Sequence, residues 1–445
     1  MTSVALDYPA AVRALTERGR FGISLGLDRV SAILDELGHP ERGLRGALVG
    51  GTNGKGSVVA MARSALNAAG LRVGTMPKPH LVSYRERIAV DGEPVSAARF
   101  ADAVSAVLPA VDRVAAQLGP PTEFEVLTAA AFSELARAGV DLVLVEVGMG
   151  GRLDATNVLD PGVAAITTVT HDHERHLGRT LAAIGAEKAA IIKPGNLAVT
   201  GAAGRGLRPV VERCAALGVP LRRAGAGQAY QATVRAVGWD GVVLDAITPE
   251  RPLPDLQLGL LGRHQAANAA VALALLDALA DGGILASREL PDEAIRAGFA
   301  AVRWPGRLEL LRGTSVGDVL LDGAHNPSGA RALADALSDL GMRGFPLVLG
   351  ASRGKRVARM LRALAPLDPR PIFTGIGDSS GVHPAGLLRS WRRLRPGGTV
   401  VTDPGEAVRR AAGLRTDDGQ PIVVAGSLYL VGAVRGMLTG QEETA

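Results

Sequence analysis

The sequence holds a single cysteine, Cys214, among 445 residues. One thiol excludes an internal disulfide, fits a reducing cytoplasm, and reads as a buried, chemically idle side chain. Aromatic residues make up only 3%, so alanine and aliphatic side chains must fill the cores. No apolar run reaches membrane-spanning length, and the N-terminus lacks the basic-then-apolar pattern of a secretory signal. The expectation is a cytoplasmic protein with no membrane partner. Neither sign of charge dominates: 49 basic against 44 acidic residues leave a net +5 spread along the chain. That modestly favours small anionic ligands and argues against nucleic acid. The densest basic cluster, Arg389 to Arg395, reads as a solvated helix face. No internal repeat and no low-complexity linker interrupts the chain.

What is present is apolar sequence, 47% of the residues, enough for two cores. Apolar β-rich runs alternate with alanine- and leucine-rich helical stretches, the pattern of parallel α/β architecture. Strands are expected near Leu44–Val49, Val140–Val147 and Val163–Val169, and helices near Ala97–Leu118, Leu127–Ala138 and Gln265–Ala280. Gly201 to Leu261 reads as short, turn-rich β pieces. A second α/β series has strands near Asp318–Leu321, Pro346–Leu349, Pro371–Thr374 and Pro421–Ala425. Trp304-Pro305-Gly306 cannot continue a helix, so the chain is expected to divide into domains 1–302 and 303–445.

The most specific string is Gly50-Gly51-Thr52-Asn53-Gly54-Lys55-Gly56-Ser57, set between an apolar run and the helical segment Val58–Ala69. A glycine-rich turn between strand and helix aims backbone N–H groups and a positive helix end at phosphate. Lys55 would reach the outer phosphates, and the Ser57 hydroxyl would hold Mg²⁺. The strict P-loop pattern has Ser or Thr directly after the lysine; here Gly56 intervenes.

Further polar groups follow other apolar runs. Glu146 ends one, ahead of a glycine cluster that also brings Arg152, Asp154 and Asn157. A carboxylate at the carboxyl end of a buried parallel strand stands where ligands of open α/β sheets bind, and its hard oxygens suit magnesium. His171-Asp172-His173 lacks the thiol or further histidine that would complete a zinc set, so one histidine assisting Mg²⁺ fits better. Lys188 sits on an expected helix, where a lysine is ordinarily a solvent-facing ion-pair partner. His264 to Asn268 opens an alanine-rich helix with amides able to read an adenine edge. Arg307, just past the junction, could cross a cleft to the γ-phosphate or form an interdomain ion pair. Asp322 again follows an apolar strand. Ala425 to Gly432, with Ser427, resembles another strand-to-helix anion site or a plain turn.

Taken in order, these segments resemble the folylpolyglutamate synthase/dihydrofolate synthase family of ATP-dependent amide ligases, within the Mur ligase superfamily. The similarity runs from Phe21-Gly22-Ile23 and Gly26-Leu27-Asp28-Arg29, through GTNGKGS, Pro79-His80-Leu81, EVGMGGRLDATN, Asp172-His173, EKAAIIK, HQAAN, PGR and DGAHNP, to GSLYLVG, nearly the whole chain. The resemblance implies a Mur-ligase-like α/β fold: a P-loop ATP-binding domain with a parallel-rich central sheet, then a smaller Rossmann-like domain, with ATP between them. It implies that Thr52, Asn53, Gly54, Lys55, Gly56 and Ser57 bind the triphosphate, and that Glu146 and His173 join Ser57 in holding Mg²⁺, as two ions. Lys188 matches a lysine that the family converts to a carbamate, which requires a neutral amine first. Asn268, Arg307 and Asp322 match nucleotide contacts. Ile23, Ser24 and Leu25, Thr122, Glu123 and Phe124, and Leu153, Asp154 and Ala155 match the pterin-binding region. His325 and Ser427 fall near the nucleotide or the incoming glutamate. Lys55, Lys188, Arg307 and His325 are the expected catalytic set.

Three departures stand out. Lys78 occupies the place of a serine that ligates magnesium in the family. Gly354-Lys355-Arg356 replaces an acid-lysine-acid string, and His383 stands for an arginine. The expected reaction is phosphorylation of a pteroate or folate carboxylate by ATP, followed by displacement of phosphate by the amine of L-glutamate. Expected partners are ATP, dihydropteroate or reduced folates, and L-glutamate, acted on by a monomer. Rival readings are a folylpolyglutamate synthase alone, a cell-wall Mur ligase, an NTPase or phosphotransferase, and a non-catalytic nucleotide-binding paralogue. The Mur reading is disfavoured because residues 1–49 leave no room for the nucleotide-sugar domain that usually precedes the P-loop.

Overall fold

The computed structural model describes residues 6–19, 25–286, 289–377, 380–415 and 419–441. The first sheet has eight strands in the order β4-β3-β2-β5-β1-β6-β7-β8. These are β1 (Gly46–Gly50), β2 (Val73–Met76), β3 (Ala89–Val90), β4 (Glu93–Pro94), β5 (Leu142–Glu146), β6 (Gly162–Ile166), β7 (Leu197–Thr200) and β8 (Leu221–Arg223). From β2 to β8 all neighbours pair in parallel; β3 and β4 add an antiparallel edge. Every residue of β1 and β5 is buried, as expected for parallel strands covered on both faces. Helices Ala97–Leu118 and Glu123–Ala138 cover one face, and Lys55–Ala68 and Gln265–Asp281 the other.

Alanine does much of the filling that aromatics would do elsewhere. Ala269, Ala270, Ala272, Ala274 and Ala278 are all sealed along one helix, and Ala129 to Ala131 along another. β2 escapes the sequence reading because it is four residues long and contains Gly74, where a Cβ would meet Leu135 Cδ2 at 2.8 Å. Residues 201–261 need a correction. They contain a helix, Arg208–Leu217, as well as β8 and a three-stranded antiparallel sheet of β9 (Gln231–Gly238), β10 (Gly241–Ile247) and β11 (Pro252–Leu258). That helix buries only Pro209, Val210 and Cys214, a weak apolar stripe in a polar segment. Cys214 is thus buried, and burial pushes its thiol up.

The second sheet runs β12-β13-β17-β14-β15-β16. Its strands are β12 (Glu309–Thr314), β13 (Gly317–Asp322), β14 (Pro346–Leu349), β15 (Arg370–Phe373), β16 (Thr399–Val400) and β17 (Ile422–Ala425), parallel except for β12. A turn through Trp304-Pro305-Gly306 joins helix Asp292–Ala301 to β12, with Gly306 at φ +69°. The Arg389–Arg395 cluster straddles the end of helix Pro384–Arg392, which buries Leu387 and Trp391 and leaves Arg392 and Arg393 exposed. Among the described residues no helix is long and apolar enough to cross a membrane. In both sheets a later strand is inserted between two earlier ones: β5 between β1 and β2, and β17 between β13 and β14. Such reversals open a crevice at the carboxyl ends of the strands.

Candidate active site

A cavity of about 880 Å³ lies where the carboxyl ends of the two sheets meet. Its wall takes Gly51–Ser57 after β1, Glu146 at the end of β5 and Thr168 and Thr170 after β6. The second sheet adds Asp322–Asn326 after β13, Ser352 after β14 and Ser427 after β17.

The glycine-rich loop is fastened to the segment after β6. Thr52 N donates to Thr168 O (2.8 Å) and Asn53 N to Thr168 Oγ1 (3.0 Å), while Asn53 O accepts from Thr167 Oγ1 (2.7 Å) and Thr168 Oγ1 (3.0 Å). Gly51 and Gly54 hold φ of +140° and +89°. A Cβ on Gly54 would lie 2.2 Å from Asn268 Oδ1, so only glycine fits. Gly54 is also the N-cap of helix Lys55–Ala68 and supplies no side-chain cap. The first-turn N–H groups therefore face the cavity without a side-chain acceptor, which is how helix ends hold phosphate. Lys55 Nζ curls over the loop, donating to Gly51 O and Thr52 O (3.3 Å each), and lies 3.8 Å from Glu146 Oε1.

Lys188 contradicts the ordinary reading of a helical lysine. It is 4% exposed, and its Nζ donates to Gly51 O at 2.9 Å beneath the same loop. Helix Leu181–Ala189 turns that face inward, against Gly151. Burial, and then the charge of Lys55, lower Lys188 to about 7.

The magnesium ligands suggested by the resemblance share this wall. The Ser57 hydroxyl makes no hydrogen bond among the described residues, and Glu146 is buried with Oε2 accepting from Lys78 N at 3.2 Å. His173 is held at φ 49° at the start of a short helix, and partial desolvation of its 44% exposed ring lowers it to about 4, which favours the neutral form that ligates metal. No cluster of three or more His, Cys, Asp or Glu side chains forms a ready metal cage among the described residues. A hydroxyl and a carboxylate beside a phosphate loop nevertheless suit Mg²⁺, which fills its shell with water and phosphate oxygens.

Lys78 does not point at the phosphate loop. Its Nζ sits 3.9 Å from the Phe124 ring centroid and 3.8 Å from Asp154 Oδ1, buried and without a hydrogen bond. Burial lowers it to about 8, with Asp154 opposing. Thr122 is engaged in a capping box with Glu125, Glu123 accepts from Tyr84 Oη at 2.9 Å, and Asp154 caps the turn Ala155–Val158. With Leu25, Phe124, Leu153 and Ala155, these residues form the apolar end of the cavity. Ile23 and Ser24 lie outside the described residues.

From the second sheet, Asp322 fastens its turn by accepting from Leu308 N and Ala324 N (2.9 Å each), and burial pushes its carboxyl up against the pull of Arg307. Asn268 donates to Gln265 Oε1 at 2.7 Å. His325 directs Nδ1 at Gly323 O (2.8 Å), so that nitrogen carries the proton. Ser427 is buried at the start of helix Leu428–Thr439. All of these line the same cavity, as does Arg307.

The contacts that bridge the segments around the two sheets were not legible in the sequence. Asp172 accepts from Lys355 Nζ (2.9 Å) and Asn326 Nδ2 (3.3 Å), and Asn326 Nδ2 also donates to Asn53 Oδ1 (3.0 Å). Burial alone would raise Asp172, but His325 and Lys355 hold its carboxyl well below the usual range. Arg356 forks onto Glu174 at 2.8 and 2.9 Å. The departing Gly354-Lys355-Arg356 string is therefore a bridge to the P-loop half. His383 accepts from Ala385 N (3.3 Å) as a helix cap and is not part of the cavity wall. Arg87 was also missed. It lines the cavity with Nε donating to His80 Nδ1 at 2.9 Å, yet in sequence it is one charge in the turn-like run Arg85-Glu86-Arg87.

The chain matches the family model "Mur ligase middle domain" over residues 49–276 and "Dihydrofolate synthetase, C-terminal domain" over 312–437. It is 37% identical to the dihydrofolate synthase/folylpolyglutamate synthase of Mycobacterium tuberculosis, across 93% of this chain and 90% of that protein. To the Bacillus subtilis protein of the same name it is 34% identical, across 94% and 96%. Among solved structures, M. tuberculosis folylpolyglutamate synthase complexed with ADP and AMPPCP superposes with a TM-score of 0.88 at 33% identity, covering 97% of this chain and 99% of that one. Escherichia coli FolC in complex with DHPP and ADP gives 0.84 at 28% identity, covering 99% and 100%. With the Mur ligase fold and these relatives along nearly its whole length, the chain belongs to the dihydrofolate synthase/folylpolyglutamate synthase family.

Proposed function

We propose that this chain is an ATP-dependent ligase that joins L-glutamate to dihydropteroate and to reduced folates, and that it divides at residue 302/303 into an ATP-binding domain and a glutamate-ligase domain. The observation that carries this reading is the single cavity joining a phosphate loop, an apolar end and the second sheet's carboxyl edge. The relatives named for both activities support both here.

In the reaction, a carboxylate oxygen of the acid substrate attacks the γ-phosphorus of ATP, and ADP leaves. The amine of glutamate then attacks the acyl carbon, expelling phosphate and losing a proton. Thr52 to Ser57 hold the triphosphate, Asn268, Arg307 and Asp322 border the nucleotide, and Lys55 and Arg307 neutralise charge on the transferring phosphoryl group. Leu25, Thr122 to Phe124 and Leu153 to Ala155 enclose the pterin. His325 and Ser427 face the incoming glutamate. Ser57, Glu146 and His173 would hold Mg²⁺, which would supply Lewis-acid neutralisation of the phosphates. Lys188 is the residue to carry a carbamate, since its burial beside Lys55 favours the neutral amine that reacts with carbon dioxide. The latch at Asp172 brings the halves together, which excludes water from the acyl phosphate. Mass spectrometry of reactions with dihydropteroate or tetrahydrofolate tests this: a glutamyl amide is expected, and unchanged acid in both would refute it.

A further inference from the structure

Lys78 presents an unusual arrangement. Its side chain is 6% exposed, yet none of its ammonium donors has an acceptor. Asp154, its nearest carboxylate, is already engaged: Oδ1 accepts from Thr156 N (3.1 Å) and Thr156 Oγ1 (2.5 Å), and Oδ2 from Met149 N (2.9 Å). At 3.8 Å it offsets the lysine charge without hydrogen-bonding it. The Phe124 ring supplies the other face of this pocket. A buried ammonium lacking a protein acceptor is costly, and an anion entering the cavity would complete it. Lys78 is among the residues that line that cavity, and its flexible four-carbon stem lets the ammonium reach a ligand there.

Arg87 faces the same space. Only its Nε is engaged, by His80, while its two terminal nitrogens make no hydrogen bond or ion pair among the described residues. Lys78 and Arg87 are close enough to repel each other, and both lie beside Glu146. Two cations with free donors, beside the apolar end of the cavity and near Glu146, have the chemistry of a carboxylate clamp.

We infer that Lys78 and Arg87 bind the carboxylate end of the acid substrate directly, without metal or nucleotide, so that Lys78 acts as a substrate ligand where a serine would serve magnesium. The inference rests on the acid-ligase reading. It makes Lys78 and Arg87 substrate-binding residues and lets the acid bind before ATP.

The test is equilibrium binding of pteroate and of its neutral carboxamide, in EDTA and without nucleotide, to the full chain and to its Lys78→Met and Arg87→Gln variants. For pteroate, each variant is expected to bind roughly 10- to 100-fold more weakly, the value of a hydrogen bond to a charged group. The carboxamide should bind all three proteins alike. Lys78→Met should keep its affinity for ADP and melt no lower than the parent, since it removes a buried cation that lacks a hydrogen bond. Equal pteroate affinity in parent and Lys78→Met overturns the inference. So does a lower melting temperature combined with a matching loss for the carboxamide, which would make Lys78 a structural partner of Asp154. If the parent itself binds neither compound even when ADP and Mg²⁺ are added, the acid-ligase reading fails instead.

Discussion

The indole of Trp304 closes over Gly56 so tightly that a Cβ at position 56 would lie 2.6 Å from Trp304 Cζ2 and 2.7 Å from Nε1. This contact accounts for the glycine that separates Lys55 from Ser57. The residue leading from one sheet to the other rests on the first turn of helix Lys55–Ala68, and only a residue without a side chain leaves room for the ring. Gly56→Ala is expected to weaken ADP binding and to lower stability by about 1–3 kcal/mol, the usual cost of overpacking. Adding Trp304→Ala should restore part of both. Isothermal titration and thermal melts of the single and double variants check the coupling.

Lys55→Ala is expected to abolish nucleotide-linked stabilisation. Saturating the parent with ADP at 100 times its Kd should add about 2.7 kcal/mol of stability, which melts report directly. A Lys55→Ala variant that shows the same upward shift would remove the phosphate assignment of the loop.

Lys188 makes a prediction with a definite sign. Its folded value is lowered to about 7 from an ordinary 10.5, so between those values the unfolded chain holds a proton that the folded chain does not. Stability contributed through this group therefore rises with pH across that window and is lost as pH falls through 7. Against Lys188→Met, the parent should gain relative melting temperature from pH 7 to pH 10. Bicarbonate-dependent activation should likewise be larger at pH 8 than at pH 6, because the carbamate forms from the neutral amine. Lys188→Ala should lose activity and recover part of it with a small added carboxylic acid.

The latch offers a separable test. Asp172→Asn keeps the shape but removes the charge that Lys355 and His325 face. A loss of about 2 kcal/mol in stability is expected, as for a hydrogen bond to a charged group, together with a lower rate of amide formation. Free phosphate released per amide should rise if the acyl phosphate meets water when the halves part. Unchanged coupling of phosphate to amide would contradict that role.

The sequence made the strands and the glycine-rich turn before helix Lys55–Ala68 readable because each carries a local signal. Leu142–Glu146 is a continuous apolar run ending in a carboxylate, and Gly51 and Gly54 are demanded by their own backbone angles. Contacts joining distant segments carried no such signal. Asp172 gains its role from Lys355 and Asn326, and Arg87 from a fold that turns a charged stretch toward the cavity. Lys188 shows the same limit. A helical lysine is ordinarily solvated, and only the packing of its helix under Gly51 makes it a buried, readily neutralised amine. The helix at Arg208–Leu217 was missed because its inward stripe is too thin to stand out from its polar neighbours.

The most direct test is ADP release by the purified full chain, measured with L-glutamate present and absent, first with dihydropteroate and then with tetrahydrofolate as the acid. ADP should accumulate in step with new amide only when acid, glutamate, ATP and Mg²⁺ are all supplied, and Lys55→Ala should give none. ADP release that ignores both the acid and glutamate, or none with either acid, would contradict a ligase built around this cavity.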